Sequence, residues 1–403
     1  MTKNNVIGII AEYNPFHNGH AYHIRQAVEL ADARAVVVVL SSNFVQRGEP
    51  SLQDKWSRAE GALAGGADLV LELPVPFSCH NAGVFARGAV KILASTGVVT
   101  HLSFGMETEV PEIERIVDIL LHEPQPFKEK LKSLLECGTS YVEARAKALD
   151  LLVDGAKQGL SSPNNNLALA YLVELARIGN PMIPLPVRRV GAGYHSREGG
   201  VLASASALRY RTRLGRLNEI RDSIPMENFS ILLRDFHSGR CVLDERRILA
   251  AYRVILARST PEEIALTAEM GEGMEYRLKK ATRKAEDLEG LIASCVSKRY
   301  PRGRISRHLV HVLIGLDHWT NRSFQRLGPP CIRVLGMTPA GRRLLAEMRG
   351  KTSLPVISRC DETRSSLVAR LMELERKTTD IWETFVDSPR LDSEKRAVPV
   401  FRA

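Results

Sequence analysis

Two histidines with a glycine between them, His17-x-Gly19-His20, are the residues of this 403-residue chain best placed to do chemistry. They close the stretch Glu12-Tyr13-Asn14-Pro15-Phe16-His17-Asn18-Gly19-His20. An apolar run, Val6 to Ala11, precedes it, and a helical pattern, Ala21 to Ala31, follows. A short apolar run bounded by turn residues reads as a buried parallel strand. Asn14-Pro15 turns the chain out of that strand, because proline fixes its own φ and biases its predecessor to extended geometry. Asn18 is the expected cap of the helix, and Gly19 lets backbone approach a ligand closely. At a helix start His17 and His20 aim both imidazoles at one spot, where free N–H groups and the helix dipole also favour an anion. The combination makes a phosphate site. The plainer alternative is a capped helix with one exposed and one buried histidine; the strand–turn–helix context favours the phosphate.

The elements that must position these groups alternate between strand and helix. After the first pair come a strand at Ala35–Leu40, a helix at Lys55–Ala64, a strand at Asp68–Leu73, a helix at Ala82–Ala94 and a strand at Thr100–Gly105. Repeated βα units predict an α/β fold with a doubly wound parallel sheet. Such sheets bind ligands at the carboxyl ends of their strands. The loop Ser41–Pro50 lies at one such end, where Asn43, Gln46 and Arg47 suit a carboxylate or a base edge. Gly105 lies at another and permits close backbone approach. Residues 111–160 read as a helical insertion rich in carboxylates. Ser161 to Asn166 then caps a helix over Leu167–Arg177, with asparagines to spare for a ligand. Val187-Arg188-Arg189-Val190 reads as a short strand with paired arginines, followed by a turn over Gly191–His195. Ala203 to Arg209 opens a further helix, where Ser204, Ser206 and Arg209 fit a second phosphate contact.

Composition bounds the reading. The length predicts two or three domains, and 44% apolar with 25% charged residues is ordinary for a soluble globular protein. No basic-then-apolar leader opens the chain, and no apolar run approaches the roughly 20 residues that span a bilayer. Six scattered cysteines without a Cys-x-x-Cys pair predict reduced thiols in the cytoplasm, with neither a zinc site nor a disulfide framework. The charge is uneven: 21 Lys+Arg face 21 Asp+Glu through Arg211, whereas 35 face 25 from Thr212 onward. All of the net +10 therefore lies in the C-terminal half, which suggests a polyanion surface beside a small-molecule site. That half reads as a mainly helical basic domain over 212–388, with a polar, poorly ordered tail at 389–403. Its strongest feature is Lys298-Arg299-Tyr300-Pro301-Arg302-Gly303-Arg304-Ile305-Ser306-Arg307-His308, in a stretch free of acidic residues from Gly290 to Gly315. Clustered guanidinium groups with an interleaved tyrosine suit phosphate pairing and base stacking on RNA. A second basic group, Arg277 to Lys284, is mixed with carboxylates and reads equally well as a solvated helix face.

The His-x-Gly-His pattern resembles the signature of the adenylyl-transferring superfamily of nucleotidyltransferases and class I aminoacyl-tRNA synthetases. Ala203 to Arg209 looks like a variant of the second nucleotidyltransferase signature. The lysine-rich Lys-Met-Ser-Lys-Ser loop of the synthetases is missing, which argues against a synthetase. The opening nonapeptide, Asn43 to Pro50, Asp68 to Pro74, Phe104-Gly105, Pro163-Asn164-Asn165 and Arg189 to His195 together resemble the bacterial tRNA(Met) cytidine acetate ligase family over most of residues 5–210. Asn166 and Ala168 stand where an isoleucine and a glycine are usual, and Met106 where a serine is common.

The resemblance implies a Rossmann-like catalytic domain over 1–211. It makes His17 and His20 the catalytic pair, stabilising charge on the triphosphate of ATP. The nucleotide site would start with Ile7, Gly8, Ile9, Ile10, Ala11 and Glu12, and continue through Tyr13, Asn14, Pro15, Phe16, Asn18 and Gly19. It would be completed by Gly105, by Asn164 or Asn165, by Arg188 and Arg189, and by Ser204, Ser206 and Arg209. Asn43, Gln46 and Arg47 would meet acetate or cytidine, and Lys298, Arg299, Arg302, Arg304 and Arg307 the RNA. The implied reaction is ATP-dependent N4-acetylation of the wobble cytidine of elongator tRNA(Met) through an acetyl-adenylate, with Mg²⁺ arriving on ATP and no metal site built into the protein. A nucleotidyltransferase acting on a small phosphate-bearing substrate explains the first half equally well but leaves the basic half without a purpose.

Overall fold

The structure, a computed structural model, describes residues 4–189, 203–360 and 366–403. Four βα-type strands form the centre of one sheet: β1 (Val6–Ala11), β2 (Ala35–Ser41), β3 (Leu69–Leu73) and β4 (His101–Met106). A fifth, β5 (Ile183–Arg188), pairs in parallel with β4 over the full register His101↔Ile183 to Met106↔Arg188. In β2 and β3 every residue is buried, which is why these strands read as unbroken apolar runs. The connecting helices α1 (Asn18–Ala31), α2 (Lys55–Ala64) and α3 (Ala82–Ser95) cover its faces. Gly8 owes its place to this packing, since a Cβ there would come within 2.8 Å of Leu93 on α3.

The C-terminal half is helical for most of its length, yet it also adds to the sheet. Strand β6 (Ile332–Met337) pairs antiparallel with β3, and β7 (Val400–Phe401) extends the edge in parallel with β6. The order is therefore β7-β6-β3-β2-β1-β4-β5, with Val356–Ile357 branching from β6. This corrects the expectation of a polar, poorly ordered tail. Glu394 in that tail is wholly buried, because it completes an ion cluster that its own composition does not reveal.

That cluster joins the two halves. Lys55 Nζ meets Glu72, Glu394 at 2.9 Å and Glu375 at 3.3 Å, while Arg333 meets Glu72 at 3.1 Å and Glu394. Glu375 also accepts from Ser42 Oγ and from the Val75 N–H, each at 2.6 Å. Burial, and then the neighbouring Glu72, raise its carboxyl to about 7. Two cations and three carboxylates thus clamp helix α4 (Ser366–Glu383), which carries Glu375, against the ends of β2 and β3. Trp382 on α4 donates to the Ser51 carbonyl at 2.9 Å, so the loop after β2 is braced from behind.

Residues 111–160 are helical, as their periodicity predicts, with helices at Ile113–His122, Gln125–Glu136 and Tyr141–Asp150. They close around their own small core of Ile116, Phe127, Leu149 and Val153. All six cysteines are free. Among the described residues no helix is long and apolar enough to cross a membrane.

Candidate active site

A cleft of about 210 Å³ opens at the carboxyl ends of β1 and β4. Its first wall is the start of α1, where His17 rather than Asn18 is the cap. His17 has extended backbone (φ −149°), and its Nδ1 accepts the Gly19 N–H at 3.0 Å. His20 Nδ1 accepts the His17 N–H in return, at 3.2 Å. Asn18 already sits in the helix and donates its amide to the Asp222 carbonyl at 2.8 Å.

This reciprocal cap decides the tautomers. A ring nitrogen that accepts a backbone N–H carries no proton, so both imidazoles hold theirs on Nε2. That N–H lies at the far end of each ring from its own backbone, and both residues line the cleft. The rings stack with centroids 3.7 Å apart. Burial, and then the Arg189 guanidinium, lower His17 to about 3. Burial, His17 and Arg189 hold His20 well below the ordinary range. Two neutral donors therefore stand side by side, without the repulsion of adjacent imidazolium ions.

A second helix start faces them. Ser204 caps Ala205–Arg213 by accepting the Ala207 N–H at 3.3 Å, and Ser206 and Arg209 line the cleft. Arg209 donates to the Asn14 carbonyl at 2.9 Å and pairs with Glu49 at 2.7 Å. Arg47 and Arg189 complete a lining with three guanidinium groups and two helix N-termini, a field suited to a polyphosphate. Gly105 lines the cleft too, with Arg189 packed close over it: a Cβ there would lie 3.1 Å from Arg189 Cγ. Glu12 lines the same cleft, accepts the Gln46 N–H at 2.9 Å, and has its pKa raised by burial against the opposing pull of Arg47.

The residue that holds these loops together is one the sequence did not single out. Arg58, buried on α2, donates to the carbonyls of Glu12, Ser41, Ser42 and Gln53 at 2.7–3.1 Å. Burial lowers it to about 10, which leaves it charged at neutral pH. It ties the end of β1 to the end of β2.

The other expected residues divide. Ile9, Ile10, Ala11, Glu12, Tyr13 and Asn14 line the cleft, whereas Ile7 and Gly8 belong to the core, and Pro15 and Phe16 are buried without lining it. Gly19 and Arg188 border a smaller pocket that also touches His17 and His20. Asn164 faces the cleft and bonds Glu107. Asn165 is wholly buried: it accepts the Glu107 N–H at 3.0 Å and donates to the Gly159 carbonyl at 2.7 Å. The helix begins at Pro163, with Ser162 as its cap, so these two asparagines point different ways from its first turn. Asn43 is likewise a brace rather than a ligand contact. It accepts the Lys55 N–H at 2.8 Å, donates to Thr379 at 3.1 Å, and does not line the cleft. Gln46 and Arg47 do line it. The turn over Gly191–His195 lies outside the described residues.

Helical spacing would have found the cleft residues that sequence reasoning passed over. His23 follows His20 by one turn and meets Ser103 Oγ at 2.9 Å. Leu167, Ala168 and Tyr171 share one face with Asn164, at offsets of three, four and seven.

The basic segment lies on the helix Arg302–Ile314 and the turn before it. Lys298 and Arg299 are exposed, Arg299 pairing with Glu272 at 3.1 Å, and Arg302 pairs with Glu289. Tyr300 is not open for base stacking, contrary to expectation. It is buried, its hydroxyl donates to the Gly271 carbonyl at 3.2 Å, and Arg304 covers its ring at 4.1 Å. In the second basic group, Arg277 and Lys279 donate to carbonyls at the ends of neighbouring helices, including Ser294 and Leu256, which is a structural use.

Comparison with known proteins agrees with this geometry. The family model described as HIGH Nucleotidyl Transferase matches residues 4–397. A protein of Syntrophomonas wolfei named tRNA(Met) cytidine acetate ligase is 36% identical over 95% of each chain. One of the same name from Acetivibrio thermocellus is 35% identical over 95% of this chain and 96% of that one. The crystal structure of apo Thermotoga maritima TmcAL superposes with a TM-score of 0.92 at 31% identity, covering 98% of this chain and 99% of that one. The same protein bound with alpha-thio ATP gives 0.90 at the same identity and coverage.

Proposed function

Because the chain belongs to the HIGH nucleotidyl transferase family, we propose that it is an ATP-dependent ligase that acetylates N4 of the wobble cytidine of elongator tRNA(Met). The observation that carries the substrate is the match along nearly the whole chain, basic half included, to proteins named for that activity. The observation that supports the chemistry is the reciprocal His17–His20 cap, which leaves both Nε2 atoms protonated on residues that line the cleft.

In the first step a carboxylate oxygen of acetate attacks the α-phosphorus of ATP. The bond to the β-phosphate breaks, giving acetyl-adenylate and pyrophosphate. His17, His20, Arg209 and the Ser204 helix start stabilise the charge that builds on the departing oxygens, which is positioning and electrostatics rather than covalent catalysis. In the second step N4 takes the acetyl group and AMP leaves. Lys298, Arg299, Arg302, Arg304 and Arg307 hold the anticodon arm by its phosphates. Mg²⁺ is expected as the ion that ATP carries; the carboxylates Glu12, Glu49 and Glu107 accept from the Gln46 N–H, Arg209 and Asn164. Among the described residues no group of three metal-ligating side chains comes together. A cytoplasmic location follows from the tRNA substrate.

The test supplies purified protein with ATP, ¹⁴C-acetate and total bacterial tRNA. ATP-dependent label in one tRNA, lost in His20→Ala while tRNA affinity is kept, is the expected result. Pyrophosphate release without label in RNA would instead show a nucleotidyltransferase of small substrates.

A further inference from the structure

A second cavity, of about 490 Å³, opens beside the ATP cleft and shares four residues with it: Gln46, Arg47, Ser206 and Arg209. The two spaces are therefore neighbours, with these four residues lining both. The floor of the second is apolar, made by Pro50, Ile248, Tyr252, Ile292 and Leu309, and its rim is charged, with Arg213, Glu245, Arg302 and Arg307. Such a volume and lining are those of a pocket for one small organic group rather than of a flat binding face.

Both halves of the chain build it, and their junction is tight. The turn at Gly48 (φ +77°) is seated on the helix Arg302–Ile314: a Cβ there would lie 2.3 Å from the Arg307 backbone nitrogen. Arg307 donates from Nη1 to the Gln46 carbonyl at 3.3 Å, and its Nε is buried without a partner. Gln46 is thus fixed by its backbone on both sides, N–H to Glu12 and carbonyl from Arg307. Gln46 lines both cavities, and its side-chain amide has no hydrogen-bond partner among the described residues.

We propose that this cavity receives the acceptor nucleotide itself, an amino-pyrimidine turned out of its stack, and that the Gln46 amide holds its edge beside the adenylate. This rests on the ligase reading above and supplies the acceptor site which that reading leaves open. A base acted on at its exocyclic amine has to leave the stack, and such bases are read by hydrogen bonds to one edge and by apolar contact with their faces. Cytosine offers a donor, N4–H, next to an acceptor, N3. A primary amide offers the complementary pair, Oε1 next to Nε2–H. Arg302 and Arg307 on the rim lie where the flanking phosphates would pass. The N4 lone pair attacks the acetyl carbonyl carbon and a C–N bond forms. The bond from that carbon to the phosphate oxygen breaks, AMP leaves with the electron pair, and one N4 proton passes to water.

Gly303 provides the steric test. It lines the cavity on the helix Arg302–Ile314, and a Cβ there meets only the end of the Arg307 side chain, at 3.4 Å. Gly303→Ala and Gly303→Leu therefore fill the cavity in steps while favouring the helix. Two rates are compared for each: acetate-dependent exchange of pyrophosphate into ATP without RNA, and transfer of ¹⁴C-acetate to transcribed elongator tRNA(Met). The expected result is transfer reduced at least tenfold in the leucine variant and by less in the alanine variant, with exchange within twofold of the parent. Unchanged transfer in both variants overturns the proposal, as does exchange that falls in step with transfer in the folded alanine variant. Gln46→Ala gives the second reading, a fall of about tenfold in transfer relative to exchange, and an unchanged ratio removes Gln46 from the role. Parent protein that exchanges pyrophosphate but never labels tRNA refutes the ligase reading instead.

Discussion

His17 does two jobs that one substitution can separate. Its Nδ1 caps α1 by accepting the Gly19 N–H, and its protonated Nε2 belongs to a ring that lines the cleft. Replacing it with alanine removes both. The lost cap costs about 1 kcal/mol of stability. The lost donor, if it meets a phosphate oxygen only as charge develops, costs roughly 10²–10³-fold in rate, or about 2.7–4 kcal/mol of transition-state stabilisation. Asparagine is among the best cap residues, and its carbonyl can take over the Gly19 N–H while being too short to replace Nε2. His17→Asn should therefore keep stability within about 0.5 kcal/mol of the parent. It should still lose adenylate formation by the same two to three orders of magnitude as His17→Ala. Urea unfolding measures the first quantity, and acetate-dependent pyrophosphate exchange at saturating ATP the second. Recovery of exchange to within tenfold of the parent in His17→Asn would refute the reasoning, because His17 would then serve only as a cap.

Three further outcomes follow from the same geometry. Asn165→Ala should destabilise the fold by about 2–4 kcal/mol, since the Glu107 N–H and Gly159 carbonyl lose a buried partner, whereas Asn164→Ala should raise KM for ATP with little change in the urea midpoint. Glu394→Ala should cost about 3–5 kcal/mol, the price of leaving Lys55 and Arg333 short of a buried counter-charge; a loss below 1 kcal/mol in urea unfolding would show that the tail is peripheral. His308 is wholly buried, and burial, then His311, lower it to about 3. Its folded pKa lies below the unfolded value near 6.5, so it makes no difference to stability above pH 6.5. Below that the unfolded chain binds a proton the folded chain refuses, and stability falls by about 1.4 kcal/mol per pH unit down to pH 3. His308→Leu should remove about 1.3 kcal/mol of the fall in urea-unfolding stability between pH 5.5 and 4.5.

What the sequence by itself determined is local. Strands β1 to β4 were legible because a buried parallel strand is a short apolar run, and the pairing of His17 with His20 because the two lie within one turn of a helix start. Spacing along a helix also holds the information for His23 and for the Asn164–Tyr171 face. The tertiary structure alone decided which of two adjacent polar residues meets the cleft. Asn164 and Asn165, or Asn43 and Gln46, have similar chemistry in one short loop or turn. They are separated only by contacts to Thr379 on α4 and to the Gly159 carbonyl, which are distant or non-adjacent in the chain. The same holds for Arg58, whose four carbonyl partners come from the turn after β1 and from the segment between the end of β2 and α2, and for Glu394, whose charge looks like solvent-facing polarity until Lys55 and Arg333 surround it. Pairing across hundreds of residues leaves no periodicity in the sequence. A buried charge and an exposed one are the same letter, and only the fold brings the partner that tells them apart.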